Sequence, residues 1–128
     1  MGWWPVNGKL ILHVEDNQYN RKIIRDLLAK NCYEIVEAHN GEAALDLLAR
    51  RRPDLILMDI QLPKLSGLEI TRRIRTDPAL AQIPVIAITS FALSGDDRLA
   101  LEAGCNAYIS KPFRPRELMA IIRRFLDS

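Results

Sequence analysis

The chain has 128 residues, 48% of them apolar and 27% charged, which is enough for one domain and short for two cores. Eighteen Lys and Arg against sixteen Asp and Glu leave a formal charge of +2. That mix excludes a disordered tail, a collagen and a coiled coil. No apolar run reaches the roughly 18 to 20 residues needed to cross a bilayer, and no signal-peptide pattern opens the chain, so a cytoplasmic globule without a membrane partner is expected.

In chain order, the strand-like run from Lys9 to Val14 leads into a helical pattern carrying Ile23, Ile24, Leu27 and Leu28. A short strand from Glu34 to Ala38 precedes a helix with Ala44, Leu45, Leu47 and Leu48 near one face. Leu55 to Met58 is wholly apolar and ends at Asp59, and a helix with Leu68, Ile70 and Ile74 follows. Val85 to Ile88 is a second wholly apolar strand, followed by a helix around Arg98 to Glu102. The brief strand Ala107 to Ile109 and a helix with Leu118, Ile121, Ile122, Phe125 and Leu126 complete the pattern.

Continuous apolar strands suit a sheet covered on both faces, and the intervening segments are long enough for right-handed crossover helices. The predicted fold is α/β: a doubly wound, five-stranded parallel sheet. Residues 9–128 read as one domain, with residues 1–8, including Trp3 and Trp4, as an N-terminal extension outside it. Cys32 and Cys105 have neither CxxC nor zinc spacing and read as buried, reduced thiols. The clusters Arg50 to Arg52, Arg72 to Arg75 and Arg123 to Arg124 fall near helix ends and focus no single face, so no nucleic-acid partner is expected.

Ligands of open parallel α/β sheets bind beyond the carboxyl ends of the strands. Here those ends deliver Glu15 and Asp16, then Asp59, then Thr89 and Ser90, then Lys111 and Pro112. Carboxylates crowded together raise each other's pKa unless a cation neutralises them, and an oxygen-rich site suits Mg²⁺. Asp59, ending a buried strand, is the best-held candidate nucleophile. Lys111 supplies a compact cation and Thr89 a hydroxyl, the groups that in-line phosphoryl transfer to a carboxylate requires. Each residue alone admits a plainer role: Asp16 as a helix cap, Glu15 as a solvated acid, Asp59 as a turn former, Lys111 as a surface lysine. Taken together, those roles leave an unpaired acid at the end of a buried strand. His13 reads as a packed neutral histidine turned by strand alternation from the neighbouring acid, and His39 as a loop residue.

Val14-Glu15-Asp16-Asn17, Asp54 to Pro63 with Gly67, Ile88-Thr89-Ser90 and Tyr108 to Pro112 resemble the receiver domain of two-component response regulators. The likeness runs from about Lys9 to Leu126, with 43 residues from Asp16 to Asp59, 30 on to Thr89 and 22 on to Lys111. Its finer pattern is similar to single-domain cell-division and polarity regulators of alphaproteobacteria, and to receivers of hybrid histidine kinases. The resemblance implies a CheY-like, flavodoxin-like strand order of 2-1-3-4-5. It implies Asp59 as phosphoacceptor, assisted by Lys111 and Thr89. It implies Mg²⁺, replaceable by Mn²⁺, on Asp16, Asp59 and the backbone carbonyl of Gln61, with Glu15 acting mainly through water.

By the same resemblance, Thr89 and Tyr108 form the switch pair, Pro112 is a loop-shaping cis proline, and Gln61 and Phe91 tune hydrolysis. The implied partners are a histidine kinase or phosphotransfer protein at Tyr19, Asn20, Ile23 and Ile24, and a downstream effector or a second copy on the face near the fourth and fifth helices. Such a protein takes and loses its own phosphoryl group and is no conventional turnover enzyme. Two rivals stand beside this reading. One is a constitutive interaction module, which would not need the full acidic set. The other is an aspartate-nucleophile hydrolase, which wants an acid where Gln61 stands.

Overall fold

The computed structural model describes residues 8–90 and 96–126. Its elements run β1 (Leu10–Val14), α1 (Gln18–Lys30), β2 (Glu34–Ala38), α2 (Gly41–Arg50), β3 (Leu55–Asp59), α3 (Gly67–Thr76), β4 (Val85–Thr89), α4 (Asp96–Ala103), β5 (Ala107–Ser110) and α5 (Pro115–Leu126). All neighbouring strands are parallel, in the order β2-β1-β3-β4-β5, so the predicted doubly wound sheet and its order are both found.

β1, β3 and β4 are buried along their whole length, as their unbroken apolar runs require in a sheet covered on both faces. β2 and β5 lie at the edges and bury only part of their residues. Alternate strand residues feed two cores. Leu12, Val14, Ile56, Met58 and Ala87 pack with Ile70 and Ile74 of α3. Ile11, Leu57, Ile86, Ile88 and Ile109 pack with Ile24 and Leu28 of α1 and with Leu118 and Ile122 of α5. Met119, which the sequence pattern does not single out, joins the second core. Ile23, placed on the same helical pattern as Ile24, instead stands 62% exposed.

Side-chain caps start three of the helices. Asn17 accepts from the Tyr19 and Asn20 N–H groups, Asn40 from Ala43 and Ser66 from Glu69. The cap of α1 is therefore Asn17, and Asp16 is not needed for it.

The amino end of the sheet is held by Arg75. Its guanidinium donates to the carbonyls of Gly104 (2.8 Å), Ala81 (3.1 Å) and Ile83 (2.8 Å), and to Asn106 Oδ1 (2.6 Å). Asn106 Oδ1 also accepts the Val85 N–H at 2.9 Å, so one cluster ties α3, the approach to β4 and the turn before β5. Both described cysteines are free thiols, but only Cys105 is buried. Cys32 is half-buried in the turn after α1 with φ 67°, because that turn calls for a left-handed residue rather than for packing. Among the described residues, no helix is long and apolar enough to cross a membrane.

Candidate functional site

The carboxyl ends of β1 and β3 bring Glu15, Asp16 and Asp59 together, with one carboxylate oxygen of each within 4.8 Å of the others. Glu15 and Asp59 are buried and Asp16 is exposed. Glu15 is held in part by its backbone, whose N–H donates to the Ala38 carbonyl at 2.9 Å and so extends the β1–β2 ladder by one residue. Its carboxylate accepts the Asn17 N–H at 3.2 Å. Arg21, one turn into α1, donates to the carbonyls of Glu15 (2.9 Å) and Asp16 (3.0 Å) and anchors the acidic loop from behind. The sequence reading passed over this arginine, although its place a turn after an acidic pair is a usable signal.

Asp59 Oδ1 accepts the Gln61 N–H at 2.9 Å. The turn-forming role and the site role thus coexist in one carboxylate, since the second oxygen, Oδ2, faces Lys111 Nζ at 3.8 Å. Lys111 stands closer to Glu15, donating to Oε1 at 3.3 Å, so it bridges both buried acids. The Lys111–Pro112 peptide is cis, as the resemblance implies. Thr89, fully buried at the end of β4, accepts from Gln61 Nε2 at 3.1 Å, and the Gln61 Oε1 accepts the Ser90 N–H at 3.2 Å. Tyr108 lies in β5 with 39% of its surface exposed. Phe91, like Trp3 and Trp4, lies outside the described residues.

The electrostatics follow from this crowding. Burial, reinforced by the neighbouring Asp59 charge, pushes the Glu15 carboxyl up to about 7 despite Lys111 beside it. A second positive charge would relieve that strain, and three carboxylates present hard oxygen donors of the kind Mg²⁺ or Mn²⁺ takes. His13 is fully buried in β1. Burial, with the charges of Lys111 and Arg21, holds it at about 3, so it is the packed neutral histidine expected. Alternation puts His13 on the side of Ile11 and, two residues on, of Glu15, so only Asp16 lies away from it.

Beside the acids, a groove of about 280 Å³ runs between α1 and the loop after β5, lined by Glu15, Asn20, Ile23, Ile24, Lys111 and Phe113 among others. It is mostly apolar and opens onto the exposed Ile23 of α1.

Sequence and structure comparisons place the fold among known proteins. The response regulator receiver domain matches residues 11–123. The polar-differentiation response regulator DivK of Brucella anthropi is 48% identical over 118 residues, covering 92% of this chain and 96% of that protein. The receiver domain of sensor histidine kinase PA1611 from Pseudomonas aeruginosa, solved with a magnesium ion coordinated in its active site cleft, is 40% identical. It superposes with a TM-score of 0.88 over 94% of this chain and 99% of its own. The phosphorylated cyanobacterial phytochrome response regulator RcpA is 32% identical, with a TM-score of 0.81 over 94% of this chain and 95% of its own. With the receiver-domain match running over residues 11–123 and a relative 48% identical along nearly its whole length, the chain belongs to the response regulator receiver domain family.

Proposed function

We propose that this protein is a phosphorylation-controlled switch of the cytoplasm that takes a phosphoryl group from a phosphohistidine onto Asp59. The observation that carries this reading is the placement of Asp59 Oδ2 opposite Lys111 Nζ, with Glu15 and Asp16 within reach of the same point. Asp59 Oδ2 attacks the phosphorus, the P–N bond of the donor breaks, and the imidazole leaves. Lys111 offsets the negative charge that gathers on the phosphoryl oxygens. Asp16, Asp59 and the Gln61 carbonyl would hold Mg²⁺ or Mn²⁺, with Glu15 assisting mainly through water. The ion, when bound, neutralises charge on the acids and the incoming phosphoryl group.

Thr89 then engages the phosphoryl group, and Tyr108 turns inward, repacking the face where Leu99, Leu101 and Tyr108 are exposed. That face is the proposed surface for an effector or for a second copy. The groove beside Tyr19, Asn20, Ile23 and Ile24 is the proposed seat of the donor, a histidine kinase or phosphotransfer protein, because it is apolar and opens next to Lys111. Gln61 and Phe91 set the rate at which water removes the group. An aspartate-nucleophile hydrolase is disfavoured, since Gln61 has no acid to protonate a leaving group and its amide is committed to Thr89 and Ser90.

Intact mass after incubation with acetyl phosphate and Mg²⁺ tests the reading. A gain of about 80 Da, absent with EDTA and absent in Asp59→Ala, is expected as the mass of one added phosphoryl group. No adduct in the folded wild type, with released phosphate also at background, would leave a constitutive interaction module as the better reading.

A further inference from the structure

One side chain joins the acceptor loop to the end of β4. The backbone N–H of Gln61 is engaged by Asp59 Oδ1 at 2.9 Å. Both ends of its side-chain amide cross to the neighbouring strand: Nε2 donates to Thr89 Oγ1 at 3.1 Å and Oε1 accepts the Ser90 N–H at 3.2 Å. Gln61 therefore touches the acceptor through its backbone and the switch hydroxyl through its side chain. Thr89 is fully buried, so its hydroxyl must stay hydrogen-bonded in whatever position it takes. On the other side of β4, the Thr89 carbonyl accepts the Lys111 N–H at 2.8 Å, which ties the strand end to the loop carrying the lysine.

We propose that the Gln61 amide is a clasp that holds Thr89 and Ser90 in the resting arrangement and competes with the phosphoryl group for the Thr89 hydroxyl. This rests on Asp59 being the phosphoacceptor. When Thr89 turns toward a group on Asp59, Oγ1 leaves Nε2, and the paired contact at Ser90 is given up with it. The response to phosphorylation then depends on the strength of the clasp as well as on the charge of the phosphoryl group. A ligand whose competent state is only fractionally populated binds more weakly by that fraction, so releasing the clasp tightens binding.

Beryllofluoride, a phosphoryl analogue that does not hydrolyse, gives the test when titrated into the full chain at saturating Mg²⁺. Gln61→Leu, which keeps the bulk and removes the amide, should bind it about three- to tenfold more tightly than wild type, the equivalent of one hydrogen bond. Gln61→Asn, too short to span both contacts, should move the same way. In a Thr89→Ala background, Gln61→Leu should change the affinity less than twofold, because the hydroxyl for which the amide and the phosphoryl group compete is gone. The Tyr108 ring resonance of analogue-free Gln61→Leu should already lie part-way toward its position in the beryllofluoride complex.

Equal or weaker binding by both Gln61 variants overturns the clasp, as does an undiminished effect in the Thr89→Ala background. A residue that only sets the hydrolysis rate would leave this equilibrium unmoved. Failure of wild type to bind the analogue would overturn the phosphoacceptor reading and take the clasp with it. Normal wild-type binding with unmoved variants sinks the clasp alone.

Discussion

Neither ring nitrogen of His13 has a hydrogen-bond partner among the described residues, although the side chain is fully buried. An unsatisfied buried polar group costs on the order of 1 to 3 kcal/mol, so His13→Leu should stabilise the fold by about 1 kcal/mol at pH 8. The gain should grow as pH falls below 6.5. There the unfolded chain takes up a proton that the folded one, with its histidine held at about 3, refuses, and wild type loses stability. Glu15 pulls the other way: its folded carboxyl, raised to about 7, keeps a proton that the unfolded chain releases above 4.5. Its contribution is full below 4.5 and is lost as pH rises to about 7. The two slopes oppose each other between those limits, so the difference between wild type and His13→Leu isolates the histidine. Urea unfolding at pH 8 and pH 5 checks this, and an equal change at both would contradict it.

At the scale of elements, the start of α3 lies against the last turn of β3 with no room between. A Cβ on Gly67 would run into the Asp59 carbonyl oxygen and come within 2.8 Å of the Ile60 Cα, both backbone atoms that cannot step aside. At Gly41, the first residue of α2, the nearest atom is Ile70 Cδ1 at 2.7 Å, the end of a side chain that can turn. Gly67→Ala should therefore cost about 1 to 3 kcal/mol, more than Gly41→Ala, and should lower phosphoryl uptake at Asp59 as well. Paired thermal melts and mass measurements of the two variants would show whether the order is right.

The elements themselves were legible because β3 and β4 are unbroken apolar runs that each end in a polar residue, which places Asp59 and Thr89 at one sheet edge without further information. Less legible was what lies between those residues. Asn17 rather than Asp16 caps α1, since a cap is chosen by local backbone angles that two adjacent polar residues could each satisfy. Ile23 and Ile24 are equally apolar, and only the seating of α1 on the sheet decides which of them is covered. The Gln61 contacts join residues 28 and 29 positions apart, and nothing in a glutamine's type announces them.

For the whole molecule, the cluster around Arg75 is the counterpart of the acidic site at the other end of the sheet. Its charge is met by carbonyl and amide oxygens 6 to 31 positions away, so no charge pattern in the sequence reveals it. Arg75→Met should cost on the order of 2 to 4 kcal/mol, since several charge-assisted hydrogen bonds are lost and their carbonyls are left without a donor. Chemical denaturation measures this directly, and a loss below about 0.5 kcal/mol would show that the contacts contribute little.

That clamp has a mechanical consequence. β4 is pinned at its beginning, where the Val85 N–H meets Asn106; at its end the backbone stays in the ladder, through the Ile88 and Thr89 carbonyls, while the Thr89 hydroxyl and the Ser90 N–H are held by exchangeable contacts to Gln61. Only the tip beyond the ladder is therefore free to respond to what happens at the acceptor. A displacement of about an ångström at Thr89 cannot be absorbed by sliding at the rear of the sheet, where the Arg75 cluster holds it. Amide exchange should be slowest at Val85 and Asn106 and should quicken toward Ser90, and only the fast end should respond when the acceptor is occupied.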